Sequence, residues 1–280
     1  MASFIIHTII GERFLNELEK TYNIELSEYD RKQFLLGNLV VDTLKTDKTI
    51  PNNIPESEIT NYKMNIKNKI RQEKLSTHFR NPSSEGECIK SPVPELFLNK
   101  YKHLIDDNMC VLGYLFHLYT DKLFFSKLFT ESFDTIDEHG NLVTLDKDLV
   151  SIRIRKTNKV VDAKEFWAGT SSINIYRDYT IMNKILLERI GTSLDPIAFS
   201  EYAKENFINP GIEEVSFENI QKVLQDTGKY IEDSYSIEDT TLQVFSENQI
   251  IDFVSYVVEQ FMLEYKSILD KFEEVKKKLK

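Results

Sequence analysis

Gly113-Tyr114-Leu115-Phe116-His117-Leu118-Tyr119-Thr120-Asp121-Lys122-Leu123-Phe124-Phe125 is a largely apolar run that carries an imidazole and a carboxylate four residues apart. Residues at that spacing lie one above the other on a helix face, so His117 and Asp121 can converge on one cation. Met109, Leu112, Leu115, Phe116, Leu123 and Phe124 extend the run on all sides, which predicts a core helix from about 108 to 128. An unpaired Asp121 in such a helix would cost several kcal/mol. Two remedies are open: the two side chains pair with each other as satisfied core residues, or both bind a metal.

Outward from this helix, the chain holds five His, and two others lie beside upstream helix signals. His7 sits in Ile5-Ile6-His7-Thr8-Ile9-Ile10, within apolar positions at helical spacing from Phe4 to Lys20. His78 sits in Ser76-Thr77-His78-Phe79, after a polar helix predicted from about 58 to 74. Asp42 ends the run Phe34-Leu35-Leu36-Gly37-Asn38-Leu39-Val40-Val41-Asp42, whose helix opens at the N-cap signal Ser27-Glu28-Tyr29-Asp30. A carboxylate at the negative end of a helix is unfavourable, and a bound cation would relieve that cost.

This ordered set resembles the zinc-dependent phospholipase C family, which includes helical bacterial members; the likeness covers roughly the first half of the chain. The resemblance implies a mainly α, multi-helix fold and one metal centre from Asp42, His78, His117 and Asp121. It also implies a second centre from His7 with Asp121 bridging, and a catalytic role for Asp42 in orienting or deprotonating water. The donor types suit zinc, with manganese or iron as alternatives. Two departures reduce the expected number to one or two ions. The family's secreted members use a mature amino terminus freed from a signal peptide, whereas His7 follows Met1-Ala2-Ser3-Phe4-Ile5-Ile6; and a later His, His and Glu complete their cluster, whereas only His139 follows Asp121 here. His139 lies in the turn-like Asp137-Glu138-His139-Gly140. Asp178, in Ile175-Tyr176-Arg177-Asp178-Tyr179, is the best candidate for a further ligand; the alternative is an exposed helical Asp.

The 280 residues, 41% hydrophobic and 29% charged, fit a single globular domain over 1–280. Nine Gly and seven Pro favour long helices over a loop-rich β fold. A net charge of −10 argues against nonspecific nucleic-acid binding and against stable attachment to anionic membranes. No apolar run is long enough to span a bilayer and no signal-like segment opens the chain, so the expected location is cytoplasmic. Cys88 and Cys110 lack metal-ligand spacing and are expected as free thiols.

Pro51 and Pro55 mark a loop over 46–58, and Pro82, Pro92 and Pro94 mark another after His78. Arg80 in that stretch is a candidate phosphate-binding group, the alternative being a solvated surface arginine. His103 is expected to be structural, beside an apolar stripe formed by Leu96, Phe97, Tyr101 and Leu104. Between 140 and 162 the period shortens to that of strands, which predicts a β-hairpin-like insertion placed as a flap beside the site. Helices follow over 173–190, 196–209 and 216–230, and one long terminal helix over 248–280.

Three functions accommodate these features. The first is hydrolysis of a small phosphoester by metal-activated water. The second is a non-catalytic helical protein that keeps the metal for stability or partner binding. A nucleotide phosphohydrolase is the third, disfavoured because an adjacent His-Asp pair is absent.

Overall fold

The computed structural model describes residues 3–43, 46, 54–81, 84, 86–215 and 220–278. The chain is mainly helical: α1 (Phe4–Tyr22), α2 (Glu28–Val40), α3 (Glu56–Thr77), α4 (Pro94–Tyr101) and α5 (Met109–Leu123) come first. A π-helical segment (Phe124–Phe129) and a short α6 (Thr130–Ser132) prolong α5. Three strands follow, β1 (Phe133–Ile136), β2 (Ser151–Ile154) and β3 (Val160–Asp162), then α7 (Ala163–Ala168), α8 (Ile175–Arg189), α9 (Pro196–Asn206), α10 (Ile220–Ser236), α11 (Glu247–Glu264) and α12 (Lys266–Lys278).

Every residue of α5 from Met109 to Asp121 is buried, which makes it the central helix around which the others pack. Its start is fixed by Asn108, whose side chain accepts from the Cys110 and Val111 N–H groups. The neighbour that approaches it most closely is α2, opened by a capping box in which Ser27 and Asp30 exchange side-chain and backbone bonds. Two glycines permit this approach. A Cβ on Gly37 would stand 1.8 Å from the Cys110 carbonyl oxygen, and one on Gly113 would stand 2.0 Å from the Phe34 carbonyl oxygen. Gly37 immediately precedes Asn38 and Gly113 lies one turn before His117, so the backbone contact brings site residues of both helices together.

α3 ends in a Schellman motif: the Phe79 N–H bonds the Ser76 carbonyl and the Arg80 N–H bonds the Leu75 carbonyl, each at 3.1 Å. The left-handed position of that motif, usually glycine, is held by Phe79 at φ 46°. Edge-to-face packing against Phe97, Tyr101 and Tyr114 compensates the strain. An antiparallel bridge between Arg80 and Pro92 then pins the following residue.

Several sequence expectations need correction. The β insertion is a three-stranded antiparallel sheet in the order β1-β2-β3, and it begins at Phe133 instead of 140, with Phe133 facing Ile154. Leu142, Val143 and Leu145 lie in a connection that makes only single bridges. Phe133, Ile152 and Ile154 pack into the core, and Asp134 on the other face binds Arg153 and Arg155. The insertion meets the chain beyond Arg80 where the Cys88 N–H bonds the Thr144 carbonyl at 2.7 Å. The terminal helix is two helices broken at Tyr265, whose ring is held against Phe261 and Tyr119. Beyond the break, Lys276 pairs with Asp30 and Asp270 accepts from the Tyr22 hydroxyl. His103 is exposed on a 3-10 turn, and Leu96 is exposed as well. Most of the loop expected over 46–58, parts of 81–86 and 216–230, and residues 279 and 280 lie outside the described residues. Among the described residues no helix is long and apolar enough to cross a membrane.

Candidate metal centre

Four segments distant in sequence deliver His7, Asp42, His78, His117 and Asp121 to one place. His7 comes from the first turns of α1, Asp42 from just beyond α2, His78 from the cap of α3, and His117 and Asp121 from α5. The side chains of the three His and Asp121 are fully buried, and that of Asp42 is 6% exposed. Asp121 places Oδ1 3.4 Å from His7 Nε2, and Oδ2 3.7 Å from His78 Nε2 and 3.9 Å from His117 Nε2. Asp42 places Oδ1 3.4 Å from His78 Nε2 and Oδ2 4.0 Å from His117 Nε2.

All five separations are too long for good hydrogen bonds, which fall near 2.7–3.2 Å. The two at 3.4 Å come near the edge of a coordination polyhedron, since tetrahedral bonds of 2.0–2.1 Å place neighbouring ligand atoms about 3.3 Å apart. Two overlapping sets, His7 with Asp42 and His117, and His78 with His117 and Asp121, each bring one ligand atom per residue within 4.8 Å of the others. His117 belongs to both sets, and Asp42 and Asp121 each present two carboxylate oxygens to the cluster.

Supporting contacts orient the rings. His117 Nδ1 lies 2.6 Å from the Asn38 carbonyl oxygen, which only accepts; Nδ1 therefore carries the proton and Nε2 turns its lone pair into the cluster. Asn38 Nδ2 in turn donates to the His7 carbonyl at 2.7 Å, tying α2 to α1. His78 Nδ1 lies 3.0 Å from Thr77 Oγ1, and the Tyr114 hydroxyl donates to the Thr77 carbonyl. His7 stacks on His117 with ring centroids 3.8 Å apart. Buried and without a hydrogen-bond partner are His7 Nε2, His78 Nε2, His117 Nε2 and Asp42 Oδ1, an expensive set to leave bare.

Electrostatics disfavour protons on His78, His117, Asp42 and Asp121. Burial pushes His117 down to about 3, reinforced by the stacked His7, and burial also lowers His78. Burial alone would raise Asp42, but His78, His117 and Lys74 outweigh it and hold the carboxyl low. Asp121 is likewise held well below the usual carboxylate range, its burial outweighed by contacts with His7 and His117. Neutral imidazoles beside carboxylate anions are the protonation state that metal binding requires.

Asp178 stands apart from this site. It is buried, not exposed, and it accepts the backbone N–H groups of Gln243, Val244 and Phe245 at 2.7–3.1 Å. Those bonds occupy the carboxylate, so Asp178 is a clamp on the loop before α11 and is corrected as a ligand candidate. His139 is exposed in a turn held by Asp137. Arg80, in contrast, is not a solvated arginine: it lies half-buried beside the cluster, where the charges of Asp121 and Asp42 act on it, 5.7 Å over the Phe125 ring.

Asn38, Thr77 and Tyr114 escaped the sequence reading. Asn38 had a signal, as the one amide within an apolar run; the Thr77 and Tyr114 contacts had none. No protein-family model, curated protein or solved structure matches the chain.

Proposed function

We propose that the protein is a metal-dependent hydrolase of a small phosphoester, related in its ligand pattern to the zinc-dependent phospholipase C family. The observation that carries the reading is the convergence of three bare imidazole nitrogens and two carboxylates in one buried cluster. His7, Asp42, His78, His117 and Asp121 would hold one or two ions, with zinc favoured by the imidazole-rich set and manganese or iron as alternatives. A metal there would polarise a phosphoryl oxygen and bring the pKa of water toward neutrality.

The chain's own residues divide the remaining work. Asn38 fixes the His117 tautomer, and Thr77 contacts the far nitrogen of His78. Full burial of His7, His78, His117 and Asp121 keeps bulk water off their side chains and strengthens the electrostatics. Asp42 has the greatest exposure of the five ligand side chains and keeps a carboxylate oxygen without a hydrogen-bond partner. It is the group we assign to orient the attacking water.

The same burial favours a second reading, a metal that staples α1, α2, α3 and α5 without turnover. Metal analysis combined with Asp42→Asn separates the two. A hydrolase is expected to cleave p-nitrophenyl phosphate or its bis-ester as purified and to lose at least about 100-fold in kcat in the variant while staying folded. A parent that contains metal, melts lower on chelation and cleaves neither ester would establish the staple.

A further inference from the structure

We propose that Arg80 is the phosphate-positioning residue of this site, making the ligand an oxyanion with a terminal phosphate group; the inference rests on the metallohydrolase reading.

Three observations converge on Arg80. The first is placement. The Schellman turn that ends α3 sets His78 as the helix cap and Arg80 two residues later, and the bridge to Pro92 fixes the Arg80 backbone. One turn of chain thus delivers a ligand and a guanidinium to the same cluster. Phe125, four residues beyond Asp121 in the π-helical segment that prolongs α5, supports the guanidinium face.

The second is incomplete pairing. Although it lies near Asp42 and Asp121, Arg80 forms no ion pair within 4.0 Å among the described residues, and its buried Nε has no hydrogen-bond partner. A guanidinium whose purpose was to neutralise these carboxylates would close on them with the bidentate geometry typical of such pairs. Arg80 instead keeps its fork available.

The third is charge. Among the carboxylate and guanidinium groups at the site, Asp42, Asp121 and Arg80 leave one negative charge in excess. One divalent cation reverses that to a single positive charge, and a second raises it further. A buried site so charged calls for an anion, and phosphate oxygens match both the metal and the planar fork. Asp42 and Arg80 also retain exposure where His7, His78, His117 and Asp121 retain none, so an anion would enter across these two side chains.

Inorganic phosphate is the probe, titrated calorimetrically into the purified full-length protein, Arg80→Gln and Arg80→Lys, with metal content and melting temperature measured on each. The parent is expected to bind phosphate, Arg80→Gln to lose about tenfold or more in affinity with unchanged metal, and Arg80→Lys to retain part of it. Equal phosphate affinity in parent and Arg80→Gln, no phosphate binding by a metal-containing parent, or loss of metal from Arg80→Gln would each overturn the role. Arg80-dependent phosphate binding in a parent without metal would keep the role and overturn the metallohydrolase reading. Should Arg80→Gln not fold, the comparison of parent with Arg80→Lys decides: equal affinity overturns the role, and weaker binding at equal metal content supports it.

Discussion

Asp121 and Asp178 are both fully buried helical aspartates, and their surroundings are opposites. Asp178 on α8 is wrapped by three backbone N–H groups at 2.7–3.1 Å, a fixed set of dipoles that satisfies a carboxylate with no further partner. Asp121 on α5 faces three imidazole Nε2 atoms at 3.4–3.9 Å, longer than good hydrogen bonds and, in the proposed reading, shared around a cation. Burial of a charge therefore does not by itself mark a functional centre. What marks it is the kind of group that faces the charge and whether the distances are those of hydrogen bonds or of a coordination shell.

The largest effect is expected where the backbone itself is challenged. Gly37→Ala or Gly113→Ala inserts a Cβ within 2.0 Å of a carbonyl oxygen on the facing helix, so α2 and α5 must separate. Each should cost roughly 3 kcal/mol or more, or prevent folding, and should strip metal because Asn38 leaves His117. Urea denaturation with metal analysis checks this; either alanine variant behaving as the parent would break the claim that helix contact assembles the site.

Next comes the comparison itself. Asp178→Ala leaves three N–H groups without their acceptor and should destabilise by about 3 kcal/mol with metal content per folded chain unchanged. His117→Ala should do the reverse, losing the metal and the part of the stability that a chelator removes from the parent. That part is about 4 kcal/mol if free metal exceeds Kd a thousandfold. Thermal melts with and without chelator distinguish the two, and a chelator-sensitive Asp178 variant that has lost its metal would erase the contrast.

How much of this contrast could be read in advance depends on the range of the contacts. The His117 and Asp121 pair was legible because four-residue spacing is local geometry, and Ser27 with Asp30 announced α2 for the same reason. Asp178 was not, since its partners arrive from a loop some 65 residues later whose N–H groups carry no side-chain signature. Gly37 stood out within its apolar run, but its reciprocity with Gly113 is a tertiary fact. The break at Tyr265 was invisible because the apolar stripe continues through it, and β1 because Phe133 follows the preceding helical turn directly. Arg80 was legible as a residue type only; the Schellman turn and Phe125 place it.

A smaller effect should follow pH. His117 is held at about 3 in the fold against 6.5 in an unfolded chain, so between those values the unfolded chain takes up a proton that the fold refuses. Stability of the metal-free protein is therefore complete above about pH 6.5 and declines as pH falls toward 3. Asp42 and Asp121, held low, extend the loss below the ordinary carboxylate value of 3.8. Melting temperatures of chelated protein from pH 8 to 4 should fall on the acid side, less steeply in His117→Ala; a flat or inverted profile would contradict the assigned neutral state.

The central claim is that His7, Asp42, His78, His117 and Asp121 are a metal site, and elemental analysis of untagged protein purified without added metal tests it most directly. One or two equivalents of zinc, manganese or iron in the parent, absent from His117→Ala and present in Asp178→Ala, is the predicted result. No metal in the parent, together with a melting temperature that added zinc, manganese and iron leave unchanged, would contradict it and reduce the cluster to core packing.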